Sequence, residues 1–215
     1  MTVYFFPGCK YRAHDPEKTE KLSEYLSKKH GVVTTGCCSI DHVLPGSEDT
    51  VLYQCPTCGL ILAESSKHVK LMSVYEFLLE DKDYVWPDLS GKQMTIQDCW
   101  RTRNDRSYCE AVRKAAEKMN IDTKEIENHF EKTDFCGATL YRVPSPRYET
   151  LAPESLVKNG NFHPCSEEEQ KEKMIEHGKQ YETDEVICYC TGCMEGVQMG
   201  GHEPVHLLDL ILSSL

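Results

Sequence analysis

The sequence predicts an α/β protein made of two pseudo-symmetric halves, each with a short, mainly parallel sheet and a metal site at the carboxyl ends of its strands. Three observations predict it. Short apolar runs alternate with helical patterns. Four of those runs end at cysteines. The cysteine order also repeats: Cys9, the pair Cys37 and Cys38, then Cys55-Pro-Thr-Cys58 in one half; Cys99, Cys136-Gly, then Cys190-Thr-Gly-Cys193 in the other.

The four runs are 3–6 before Cys9, 50–54 before Cys55, 94–97 before Cys99, and 185–187 before Cys188 and Cys190. Each is brief and rich in β-branched or aromatic residues, as buried strands are. Between them lie helical patterns. Asp15-Pro16-Glu17 opens the first, with Asp15 as cap and Pro16 in the first turn; Leu22, Tyr25 and Leu26 then share a face until Gly31. A second helix is expected over 106–119 and a very polar third over 167–181. Apolar helices are expected after each Cys-x-x-Cys, around 74–79 and 205–212, the latter starting near Pro204. The breakers Pro87, Ser90 and Gly91 divide the chain into a first cysteine-rich half, 1–90, and a second, 91–215. In open parallel sheets ligands bind beyond the carboxyl ends of strands, and here the thiols occupy those ends.

Composition narrows the class. The formal net charge is −11, from 24 basic and 35 acidic side chains, which argues against nucleic-acid or anionic-membrane surfaces and fits protein or small-molecule partners. There is no run of 18 apolar residues to insert in a membrane and no basic, apolar leader, so a cytoplasmic location is expected. Disulfides are rare in a reducing cytosol. Twelve cysteines there call for metal or redox chemistry.

A Cys-x-x-Cys turn curls two sulfurs onto one ion or cluster, and distant chain must supply the rest. Thiolates are soft and select zinc or iron–sulfur clusters over magnesium or calcium. The first set offers five thiols, one more than a tetrahedral zinc takes. Adjacent Cys37 and Cys38 suit a multi-iron object, where neighbouring sulfurs reach different irons. Cys109 and Cys165 read as spare thiols, and Cys188 is an alternative extra donor in the second set.

These motifs resemble the cysteine-rich CCG domain family, whose members include a heterodisulfide reductase component and iron–sulfur components of glycolate and lactate oxidases. The resemblance covers nearly the whole chain. It implies two related α/β halves. For a complete motif of the heterodisulfide reductase kind it implies a non-cubane [4Fe–4S] cluster on five cysteines that reductively splits a disulfide. Three departures matter. Ser39 replaces the glycine after the first pair. Only 16 residues separate Cys38 from Cys55, so a helix is expected to be missing. Phe135 stands where the second half would have the first cysteine of its pair. The resemblance therefore implies a cluster on Cys9, Cys37, Cys38, Cys55 and Cys58. For Cys99, Cys136, Cys190 and Cys193 it leaves a second [4Fe–4S] cluster or zinc.

The expected function is an iron–sulfur oxidoreductase component acting on a thiol or disulfide, with electrons from a ferredoxin-like protein or a flavoprotein. The alternatives are a non-catalytic electron relay and a zinc-binding interaction module. No catalytic side chain is singled out. Arg101 and Arg103 after Cys99, and Lys10 and Arg12 after Cys9, either neutralise a metal centre or are solvated charges. No G-x-G-x-x-G or phosphate loop is present, so no nicotinamide or flavin of its own is expected. His202-Glu-Pro-Val-His206 matches the zinc-protease pattern, but Pro204 breaks the continuous helix that pattern requires.

Overall fold

A computed structural model describes residues 2–44, 46 and 48–214. The predicted α/β class is observed, as two four-stranded parallel sheets of identical strand order. Walking the first, β1 (Val3–Phe6) is followed by α1 (Cys9–His14) and α2 (Pro16–His30), then β2 (Val33–Thr34), β3 (Thr50–Tyr53), α3 (Pro56–Ser65), β4 (Lys70–Ser73) and α4 (Val74–Glu80). In the second, β5 (Gln93–Ile96) leads to α5 (Arg106–Lys118) and β6 (Asp122–Glu125). A long connection carries α6 (Arg147–Leu151) and α7 (Glu167–Gly178). Then come β7 (Glu185–Cys188), α8 (Thr191–Met199), β8 (Glu203–His206) and α9 (Leu207–Ile211).

The sheets run β2-β1-β3-β4 and β6-β5-β7-β8. Val3 pairs with Thr50 and Phe6 with Tyr53; Thr95 pairs with Val186 and Ile96 with Ile187. The four strands foreseen from apolar runs are the four central ones. The edge strands carry sequences such as Asp-Thr-Lys-Glu and Glu-Pro-Val-His, which have no apolar run to announce them. β8 also corrects one expectation. The chain is extended from Glu203 to His206, and the helix starts at Leu207 rather than near Pro204. Pro204 fits because β8 is an edge strand, where a missing N–H costs no ladder bond. His206 is fully buried and caps α9, its Nδ1 accepting from the Leu208 N–H, so it lies on no helix surface.

Local chemistry explains the helix boundaries. The Asp15 side chain accepts from the Lys18 N–H and Pro16 opens α2; Gly31 ends it at φ 65°. Ser73 with Glu76 and Ser166 with Glu169 form capping boxes on α4 and α7. Each sheet packs its own apolar layer: Phe5, Val51, Leu52, Leu26 and Leu78 in the first, Met94, Ile96, Val112, Val186 and Leu207 in the second, all buried.

Two compact units result. One comprises the chain through Lys82 together with Ser145–Gly160; the other comprises Asp83–Pro144 and Asn161–Ser214. Among the described residues no helix separates Cys38 from β3, as the short interval implies. Within the first unit, α3 instead packs against α6 and a π-helical stretch, Pro153–Lys158. The Glu64 carboxylate at the end of α3 accepts from the backbone N–H groups of Glu154 (3.2 Å) and Ser155 (2.7 Å). No described helix is long and apolar enough to cross a membrane.

Candidate metal centre

In each sheet the chain leaves the second and third strands in opposite directions, so a crevice opens at their carboxyl ends. The thiols line both crevices. Cys9 follows β1 and Cys55 follows β3; Cys99 follows β5 and Cys190 follows β7. Each Cys-x-x-Cys straddles a helix start: Cys55 caps α3 with Cys58 in its first turn, and Cys190 caps α8 with Cys193 in its first turn. The positive end of a helix favours thiolates there.

The second set closes completely. Cys99, Cys136, Cys190 and Cys193 are all buried, and their four sulfurs lie within 4.8 Å of one another. Cys99 Sγ is 3.5 Å from Cys136 Sγ, which is 3.8 Å from Cys190 Sγ. Thiol donors converging from Cys136, Cys193 and Cys99 hold the Cys190 thiol far below its ordinary range, while burial pushes Cys99 and Cys193 well up. Four thiols with no carboxylate or imidazole among them are a soft donor set that could hold a metal or cluster.

A second layer braces this cage. The fully buried Asp98 carboxylate takes two bonds from Arg113 (3.0 and 2.8 Å), one from the Phe130 N–H (2.8 Å) and one from the Tyr189 hydroxyl (3.0 Å). That hydroxyl accepts from the Cys99 N–H at 2.8 Å and pairs with Thr102 Oγ1 at 2.8 Å. Of the basic residues near the thiols in sequence, Arg101 is the one bonded to a sulfur: it is buried and its guanidinium donates to Cys136 Sγ. Arg103 stacks over Trp100, and Lys10 and Arg12 are exposed.

The first set is looser. Cys38 Sγ and Cys58 Sγ are buried 3.2 Å apart, Cys37 and Cys55 are half-buried, and Cys9 is exposed. The thiols sense one another: burial and then the charges of Cys37 and Cys55 raise Cys9, and the Cys58 thiol lowers Cys38 by donating to it. Among the described residues only the second quartet brings three or more potential ligands within single-ion reach. The larger expected ligand set belongs to the first half, yet the tight cage is in the second.

Cys188 ends β7 fully buried and stands outside the quartet. Cys109 is buried against Thr102, and Cys165 is half-buried; neither joins a cage. Sequence reasoning missed Asp98, Tyr189 and Thr102, although each lies beside a ligand or within three residues of one. It also missed Arg147. This residue belongs to the first unit, bonds Ser39 Oγ at 3.3 Å, and its charge lowers Cys9 and Cys38. Comparison with protein-family models, curated proteins and solved structures gives no match.

Proposed function

We propose that the chain is an iron–sulfur oxidoreductase component with two unlike thiolate centres. The first set would hold a [4Fe–4S] cluster through Cys9, Cys37, Cys38, Cys55 and Cys58. The quartet Cys99, Cys136, Cys190 and Cys193 would hold one tetrahedral ion. The observation that carries this reading is the contrast between a sealed four-thiol cage and an open five-thiol set at the same place in a duplicated fold.

Magnitudes separate the two. A metal–sulfur distance of about 2.3 Å sets tetrahedral sulfur–sulfur edges of about 3.8 Å. The 3.5 and 3.8 Å separations of the quartet agree with that size. A cubane places its four thiolates on four different irons and needs a wider cage. Five donors exceed what zinc takes, and the exposure of Cys9 leaves the first centre open to a thiol or disulfide. When bound, a cluster there would supply single electrons for sulfur–sulfur cleavage or for transfer to a redox partner. The protein's own groups hold it: the α3 N-terminus faces Cys55 and Cys58, and Arg147 offsets the negative charge of the set. This reading agrees with the resemblance to the CCG domain family.

Protein purified without oxygen, then assayed for iron, zinc and acid-labile sulfide, tests the proposal. Iron and sulfide lost on Cys38→Ala, with zinc retained, are expected. Zinc alone, with no sulfide, would instead leave a zinc-binding interaction module, a reading the quartet's spacing favours.

A further inference from the structure

We infer that Cys136 is the exchangeable thiol of the quartet, and that the cleft beside it admits a small thiol to take its place on the metal. The inference rests on the reading that the quartet holds a single ion. Three independent observations converge on this one residue.

First, Cys136 forms part of the wall of a cleft of about 420 Å³, which the other three cysteines do not line. That volume falls in the range of small-molecule sites. Phe135, Leu140, Met174 and His177 give it apolar and aromatic surface, and Lys173 adds a cationic group. Second, Cys136 is the thiol that carries the buried Arg101 guanidinium. A charge-assisted bond from a cation draws electron density from the sulfur and weakens it as a donor to metal. Third, the other ligands are anchored in ways that Cys136 does not share. Cys190 caps α8 and Cys193 lies in its first turn, and Cys99, three residues past β5, has its N–H tied to Tyr189. Cys136 caps a short 3-10 helix, Gly137–Tyr141, on the connection between β6 and β7, outside the strands and α-helices themselves.

Cys136 has no exposed surface, so the quartet is shut at rest. The cleft gives its side chain room to turn out while the strand ends and α8 stay in place. A soft ion accepts only a soft replacement, which makes the incoming ligand a thiol. The exchange is neutral: the incoming thiol binds as thiolate, its proton passes to the departing Cys136 sulfur, and no electrons move.

The full chain loaded with Co²⁺ under anaerobic conditions gives the test, because sulfur-to-cobalt absorption reports the ligand set without any activity assay. In the wild type, N-ethylmaleimide followed by peptide mapping should label Cys136 about tenfold faster than Cys99, Cys190 or Cys193, following access to the sulfur. Cys136→Ala should keep cobalt with a weakened sulfur band that 2-mercaptoethanol restores. Cys99→Ala should show no such rescue. Equal labelling of all four thiols, loss of cobalt from Cys136→Ala, or equal rescue of both variants would overturn the inference while leaving the metal centre standing. A wild type that takes up no cobalt would overturn both.

Discussion

Cys99 and Cys9 occupy the same place in the two sheets, just past the second strand of the order, yet one is fully buried and the other exposed. Their neighbours account for the difference. Asp98 precedes Cys99 and gathers Arg113, Phe130 and Tyr189 around the second cage. Gly8 precedes Cys9 and offers no side chain to build on. Tyr189, before Cys190, reaches the Cys99 backbone; Gln54, before Cys55, lies against Gly8. Thiol spacing therefore decides where a site forms, and the residues behind the thiols decide whether it closes.

The strongest way to break this comparison is to remove a ligand on each side. Cys193→Ala should abolish metal uptake by the quartet and loosen the second unit, because metal binding and folding are coupled there. Cys9→Ala should leave that unit's thermal transition unchanged. Metal analysis with calorimetry reads both.

The glycines beside the two sites come next. Gly137 stands at φ 55°, and a Cβ there would lie 2.0 Å from the Gly192 carbonyl, which is rigid backbone. Gly137→Ala should cost about 3 kcal/mol or more in denaturant unfolding. Gly8 stands at φ 76°, but its added Cβ meets side chains, Cys55 Cβ at 2.7 Å and Gln54 Oε1 at 2.9 Å. Gly8→Ala should cost less stability and instead displace Cys55, visible as lost iron. Equal destabilisation by the two would undo the distinction between a braced and an open site.

Tyr189→Phe sharpens the role of the bracing layer. It frees the Cys99 N–H and should lower the quartet's metal affinity about 10- to 100-fold, the usual effect of losing such a partner. Competition with a chromophoric chelator measures it. Gln54→Leu should change metal retention in the first set less.

The smallest effect concerns pH. Burial holds His177 down to about 4, with its ring stacked on Phe135 at 4.1 Å. The unfolded chain takes up that proton near pH 6.5, the folded chain only near pH 4. Stability is therefore lost as pH falls through this window, by on the order of 2 kcal/mol. Wild type minus His177→Leu, compared by urea unfolding at pH 7 and pH 4.5, isolates the contribution. An identical difference at both values would contradict the buried, neutral imidazole.

The sequence made much of this legible, and its failures follow a pattern. Central strands were visible because both faces are buried and their residues are apolar. Edge strands β2, β4, β6 and β8 were not, since half-exposed strands with residues such as Lys70, Lys124 and Pro204 carry no such signature. Helix α2 was legible end to end because Asp15, Pro16 and Gly31 act locally. Rejecting a protease site at His202 and His206 was sound, although the reason is an extended strand and not a helix that starts late. Asp98, Tyr189 and Arg147 were out of reach because bonds central to their roles, Tyr189 to Thr102, Cys99 and Asp98, and Arg147 to Ser39, join residues at least 87 apart in sequence.

The stretch Ser145–Gly160 has a further consequence, for synthesis. It supplies packing against α3 that the segment through Lys82 lacks, yet its last residue, Gly160, is translated 78 residues after Lys82. At about 5–20 residues per second, the nascent first unit waits roughly 4–16 s for its last piece. During that interval the face of α3 is bare and Arg147 has not reached the thiols, so the ribosome's pace sets the earliest moment at which this unit can be completed.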